Sequence, residues 1–131
     1  MKTLASYIGL AALAHAAPPP AFFKALHQVE TSGRLGPTVG DNGKALGPLQ
    51  IHRRYHQDSR VPGDYTQVSD YDYSVRVVSA YLKKYAPSAW ERGDVVVLAR
   101  IHNGGPRGAA KPATEKYAAK VVAALRKEAQ P

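Results

Sequence analysis

Two carboxylates stand out for the chemistry they could do together. Glu30 ends a run in which Phe22, Ala25, Leu26 and Val29 recur at helical spacing, and Asp41 sits in the glycine-rich stretch that follows. Glu30 lies four residues after Leu26 and seven after Phe23, so a helix would project it between two apolar side chains. Such a setting strips water from a carboxyl and favours its neutral, proton-bearing form. Asp41, within Gly40-Asp41-Asn42-Gly43, is expected in a partly solvated turn, where it stays ionised. A carboxyl that keeps its proton beside one that does not is the equipment of glycosidic-bond cleavage. One protonates the leaving oxygen, and the other attacks or stabilises the anomeric carbon. The plain alternatives are a surface glutamate near a helix end and a turn aspartate bonded to its own backbone.

Other chemistries find less support. His52 and His56 are four apart and could share a metal on a helix, but no glutamate follows His52 and no third ligand is evident. They read as surface or cleft histidines, and neither a metal nor any other cofactor is expected. The chain has no cysteine, which excludes disulfides, a thiol nucleophile and cysteine-ligated zinc. Its stability must come from helix packing.

The elements that must position the two acids are mostly helical. After Pro18-Pro19-Pro20, a first helix is predicted from about Ala21 to Thr31. Thr38-Val39 and Ala45-Leu46 flank Asp41-Asn42-Gly43 as a small hairpin. Pro48 is expected to open a short helix to about His56, with a loop over Asp58 to Thr66. The next helix spans about Asp70 to Tyr85, capped by Ser69 or Asp70, with Val75, Val78, Leu82 and Tyr85 inward. Trp90 falls in a connection, where it plugs the edge of the core or stacks on a sugar ring. Asp94 caps a helix from Val95 to about His102, apolar nearly all round and hence central. Asn103-Gly104-Gly105-Pro106 stops it. A last helix runs from about Thr114 to Glu128, with Tyr117, Val121, Val122 and Leu125 inward. The fold class is mainly α, with about five helices and one small β-hairpin.

At 131 residues the chain suits one domain, and 44% hydrophobic with 21% charged residues fits a folded one. Its net charge of +8 favours acidic partners such as nucleic acid, an anionic membrane or the polymers of a bacterial wall. The basic residues are scattered and match no nucleic-acid-binding signature, so no nucleic-acid partner is expected. At the N-terminus, Lys2, the apolar run from Leu4 to Leu13 and Ala14-His15-Ala16 read as an export signal cleaved near Ala16 or Ala17. The run is too short to span a bilayer. The expected organisation is a signal peptide over 1–17 and one domain over 18–131.

Four segments carry a resemblance. They are His27-Gln28-Val29-Glu30-Thr31-Ser32-Gly33, Gly40-Asp41-Asn42-Gly43, Leu46-Gly47-Pro48-Leu49-Gln50-Ile51, and Ala99-Arg100-Ile101-His102-Asn103-Gly104-Gly105-Pro106. With Tyr81-Leu82-Lys83-Lys84-Tyr85-Ala86 they resemble the invertebrate-type (destabilase) lysozyme family from about Ala25 to Val121. The His-Asn-Gly-Gly-Pro segment is the most specific. The elements around Glu30 and Gln50 also resemble soluble lytic transglycosylases. The resemblance implies a lysozyme-like α+β fold with the hairpin beside an active-site cleft. It implies Glu30 as general acid and Asp41 as nucleophile of a retaining muramidase, with Gln50, Tyr55, His102 and Asn103 binding the glycan strands of peptidoglycan. The protein would be secreted or periplasmic; its oligomeric state is left open.

The sequence also departs from that family. Its members are usually rich in disulfides, and here Tyr73 and Val77 stand where two cysteines are expected, which points to a bacterial source. His56 replaces a common tryptophan. The Ser-Lys pair with which some relatives cleave isopeptide bonds is missing, since the matching region reads Lys44-Ala45-Leu46 and the lysine position is His52. Two further readings remain: a lytic transglycosylase using Glu30 alone, and a non-catalytic peptidoglycan-binding protein.

Overall fold

The computed structural model describes residues 17–130, so the expected export signal lies, apart from Ala17, outside the described residues. Proline suits the first helical position, where no N–H is needed, and helix α1 (Pro20–Thr31) begins at one. It ends where Ser32 turns left-handed (φ 56°) and gives its N–H back to the Gln28 carbonyl. The next residues form a three-stranded antiparallel sheet of very short strands, β1 (Val39–Gly40), β2 (Ala45–Leu46) and β3 (Ile51–His52). Val39 pairs with Leu46, and Leu46 with Ile51.

The hairpin is the one the sequence implies, but the helix expected at Pro48 is displaced. Gln50 is left-handed (φ 52°), which breaks any helix there, and Ile51–His52 pair with β2 instead. Helix α2 therefore runs only from Arg53 to Ser59 (Arg53–Ser59). Both amide protons of the Gln50 side chain are bonded, to the Thr38 and Gly47 carbonyls at 3.0 Å each, which pins the hairpin. Thr31 Oγ1 donates to the Pro48 carbonyl at 3.0 Å, tying the end of α1 to the same turn.

Helix α3 (Tyr71–Tyr85) is capped by Asp70, whose carboxylate accepts from the Tyr73 N–H. Its buried face is wider than expected and includes Tyr73, Ser74, Val77 and Tyr81, while Val75 and Tyr85 are half-buried. Trp90 lies not in a loop but on α4 (Pro87–Arg92), buried against the Phe23 ring; of its two expected roles this is the core one. Helix α5 (Val95–Gly104), capped by Asp94, buries Leu98, Ala99, Ile101 and His102. It is not enclosed all round, because its first turn is open and Val96 is 42% exposed. Helix α6 (Glu115–Glu128) packs along α1 and α5, with Ala118 and Val121 buried. Short 3-10 turns over Tyr65–Ser69, Gly108–Ala110 and Pro112–Thr114 complete the chain.

Among the described residues the buried hydrophobic side chains form one cluster. Phe22, Leu26, Leu49, Ile51, Val77 and Leu98 are fully buried, each stabilising the fold by about 1.5–3 kcal/mol. Among the described residues no helix is long and apolar enough to cross a membrane.

Gly47 shows how tightly the hairpin is set on this core. Its φ is +84°, and an added Cβ would collide with the Val68 carbonyl. Gly47→Ala should combine left-handed strain with overpacking and cost about 3 kcal/mol. A urea midpoint equal to that of the parent would show that this turn is free to move.

Candidate active site

The helix pairing brings distant residues to Glu30. Because α6 lies along α1, Tyr117 on the first turn of α6 donates its hydroxyl to Glu30 Oε2 at 2.7 Å. From the last turn of α5, His102 Nε2 approaches the same oxygen at 3.2 Å. The sequence places Phe23 and Leu26 around this carboxyl. Its hydrogen-bonding partners are these two polar groups, and Phe23 packs edge-on to Phe22. The Glu30 side chain retains 18% exposure and that of His102 only 2%.

The network continues behind His102. Its Nδ1 is 2.8 Å from the hydroxyl of buried Tyr55, and the Tyr55 ring stacks on Tyr81 with centroids 3.7 Å apart. Burial first, then the neighbouring Tyr81 and Glu30 charges, push the Tyr55 phenol well above its ordinary range. It therefore keeps its proton and can donate it to Nδ1; in that arrangement Nε2 carries the ring proton and faces Glu30 as a donor. Burial, followed by the charge and hydrogen bond of Glu30, likewise raises the Tyr117 phenol. Both donors meet Oε2, which leaves Oε1 as the oxygen available to hold an exchangeable proton.

A groove of about 420 Å³ runs past this network, lined in part by His52, Tyr55, Tyr81, His102, Asn103 and Pro106. Three of the expected substrate-binding residues, Tyr55, His102 and Asn103, share its wall, with Asn103 exposed. Gln50, the fourth, is absent from this lining and holds the hairpin as described. Glu30 meets the groove through His102.

Asp41 sits in the turn between β1 and β2. Asp41 and Asn42 both have positive φ (51° and 55°), the conformation of a tight hairpin turn, closed by the Gly43 N–H on the Gly40 carbonyl. The Asp41 Oδ2 is 3.0 Å from His52 Nε2, and its side chain is 57% exposed. The groove thus includes both the histidine that holds Asp41 and the histidine that holds Glu30. His56 points elsewhere, to the Tyr73 hydroxyl at 2.8 Å, so the two histidines of α2 and β3 do not converge. Among the described residues no group of three or more His, Asp or Glu is placed to hold a metal.

Tyr117 and His52 belong to this candidate site although the sequence does not assign them to it. The spacing predicts Tyr117 inward on its helix, and an inward tyrosine needs a partner for its hydroxyl, which is the one available signal. Nothing local could name Glu30, 87 residues away, as that partner.

The raised phenols carry a consequence for stability. Burial also lifts Tyr81, to about 12. These tyrosines hold their protons in the folded state at pH values where the unfolded chain has released them. Their contribution to stability is complete below about pH 10 and is lost as pH rises through the folded values. Chemical denaturation between pH 9 and 12 should show stability falling, with a shallower fall in Tyr55→Phe. Equal slopes in the two proteins would remove Tyr55 from the account.

A helical body with a small antiparallel sheet, and a glutamate at the end of the helix facing that sheet, is a lysozyme-like fold. The crystal structure of Tapes japonica lysozyme superposes with a TM-score of 0.69 at 27% identity, covering 81% of this chain and 89% of that one. A chain of the complex between Aeromonas hydrophila PliI and Meretrix lusoria lysozyme gives 0.67 at 26%, covering 87% and 93%. In sequence, the chain is 39% identical over 79 residues to a lysozyme of the oyster Magallana gigas and 34% over 86 residues to one of Ostrea edulis. These matches cover 59% and 64% of this chain and span 58% and 63% of the relatives' lengths. No family model matches.

Proposed function

We propose that this chain is an invertebrate-type lysozyme, a glycoside hydrolase that cleaves the β-1,4 bond between N-acetylmuramic acid and N-acetylglucosamine in peptidoglycan. The observation that carries the reading is the Glu30 carboxyl, held on one oxygen by Tyr117 and by His102, beside a groove whose lining also includes His52, the partner of Asp41. Likeness in sequence and fold to named lysozymes supports it.

In the first step Glu30 gives the proton on Oε1 to the glycosidic oxygen as its bond to the anomeric carbon breaks. Asp41 attacks that carbon from the opposite face through the oxygen that His52 leaves free. Water then adds to the anomeric carbon, Oε1 takes a proton from it, and the ester to Asp41 breaks. Tyr117 and His102 hold Glu30 through both steps, Tyr55 fixes the His102 tautomer, and Asn103 offers its amide to substrate hydroxyl or acetamido groups.

Tyr117→Phe tests the anchoring. The ring and its packing remain and one donor is lost, so kcat should fall about tenfold with KM unchanged. A rise in KM alone would make Tyr117 a binding residue. The reading as a whole is tested by incubating the purified protein with purified peptidoglycan and identifying the products by mass spectrometry. Hydrolysed reducing ends support a lysozyme, anhydro ends a transglycosylase, and binding without products a non-catalytic wall protein.

The N-terminal composition supports export, so the mature protein should begin after Ala16 or Ala17. The cysteine-free chain supports a bacterial source.

A further inference from the structure

A second groove, of about 480 Å³, also borders β3 and is lined by residues that include Val39, Lys44, Leu46, His52, Arg53 and Tyr65. It holds Lys44, Arg53 and Arg54 and no carboxylate. Among the described residues, Lys44 and Arg53 make no ion pair. Arg53 is held by an aromatic face instead, with its guanidinium carbon 4.6 Å from the centroid of the Tyr65 ring. Tyr65 is fixed in turn by its hydroxyl on the Ile51 carbonyl of β3. Stacking orients the guanidinium and leaves its N–H edge available for an anion, the arrangement in which arginine recognises carboxylate. Arg54 adds a cation only weakly engaged, 3.6 Å from Asp58. Val39, 63% exposed, offers an apolar contact beside the charges.

The position matters as much as the charge. His52 and Arg54 line this groove and the active-site groove alike, so the two grooves adjoin at β3 and the start of α2. A peptidoglycan strand in the active-site groove carries a peptide on the lactyl group of each muramic acid, and that peptide bears free carboxylates. We propose that the second groove receives this peptide, with Lys44 and Arg53 pairing its carboxylates. The inference rests on the peptidoglycan reading of the active site. It makes the protein a reader of the peptide as well as of the sugar.

The test compares the parent with Lys44→Ala, Arg53→Ala and the double variant on three substrates. These are peptidoglycan freed of phosphate polymers, the same glycan stripped of its peptides by an amidase, and a soluble chitooligosaccharide. On peptide-bearing glycan the double variant should show KM raised about tenfold with kcat unchanged, as expected for losing two partly exposed charge pairs. On the two peptide-free substrates it should equal the parent. Lys44→Arg should restore most of what Lys44→Ala loses. A KM rise that persists without peptide would make these cations sugar contacts and overturn the proposal. So would an unchanged KM of the double variant on the peptide-bearing glycan freed of phosphate polymers. If the parent cleaves none of the three, the lysozyme reading fails separately. The groove is then read by direct binding of muropeptides with free or amidated carboxyls, where equal affinity for the two would overturn it.

Discussion

Replacing Glu30 by Gln should lower the release of reducing ends from peptidoglycan or a soluble chitooligosaccharide by about a thousandfold, within the range general acid catalysis contributes. The substitution is informative because it changes little else. Glutamine has the same shape, and its carbonyl oxygen can still accept from Tyr117 and His102, the two donors that meet Oε2. Its amide nitrogen, where Oε1 stood, cannot give up a proton to a leaving oxygen. The variant should fold with a nearly unchanged urea midpoint and still bind the glycan. Retained activity in a folded Glu30→Gln protein would mean that the acid lies elsewhere and that the Tyr117 and His102 contacts serve only the fold.

A loss of similar size is expected for Asp41→Asn if the reaction is hydrolysis with retention. The turn should survive, because asparagine tolerates the left-handed conformation Asp41 adopts (φ 51°) and the neighbouring residue is already Asn42 (φ 55°). What disappears is the negative charge that, in the proposed mechanism, attacks or stabilises the anomeric carbon. The pairing with His52 weakens as well, though both side chains are about half exposed and the pair adds little to stability. Near-parental turnover with anhydro-ended products would identify a transglycosylase working through Glu30 alone. Near-parental turnover with hydrolysed ends would move the second role to another group.

Local chemistry made much of the fold legible. Pro20 and Asp70 set two helix starts, Asp94 a third, and Asn103-Gly104-Gly105 an end, each through the few residues around it. The hairpin was equally local, since Asp41-Asn42-Gly43 suits a left-handed turn. The segment after Pro48 was not. A proline before mixed polar and apolar residues signals a helix start, and it is pairing of Ile51 with Leu46 and the side-chain bonds of Gln50 that hold it as a turn leading into β3. The site divides in the same way. Glu30 and Asp41 could be singled out by type and setting, whereas their partners Tyr117 and His52 become visible only once α6 lies on α1 and β3 closes the sheet.

The contacts around Tyr73 set how this protein can be handled. Its hydroxyl accepts from His56 at 2.8 Å and donates to the Pro62 carbonyl at 2.9 Å, and Val77, one turn on, is wholly buried. These contacts join α2, α3 and the loop between them without a covalent link, in a chain that contains no thiol. A crosslink restrains a polypeptide even when denatured, whereas such contacts exist only in the native state. The denatured chain therefore keeps its full freedom and has no mispaired isomers to escape. Dilution from urea should return the native protein without an oxidant or a shuffling catalyst, in reducing and oxidising buffers alike. Temperature and time, and not redox potential, would then limit its working life.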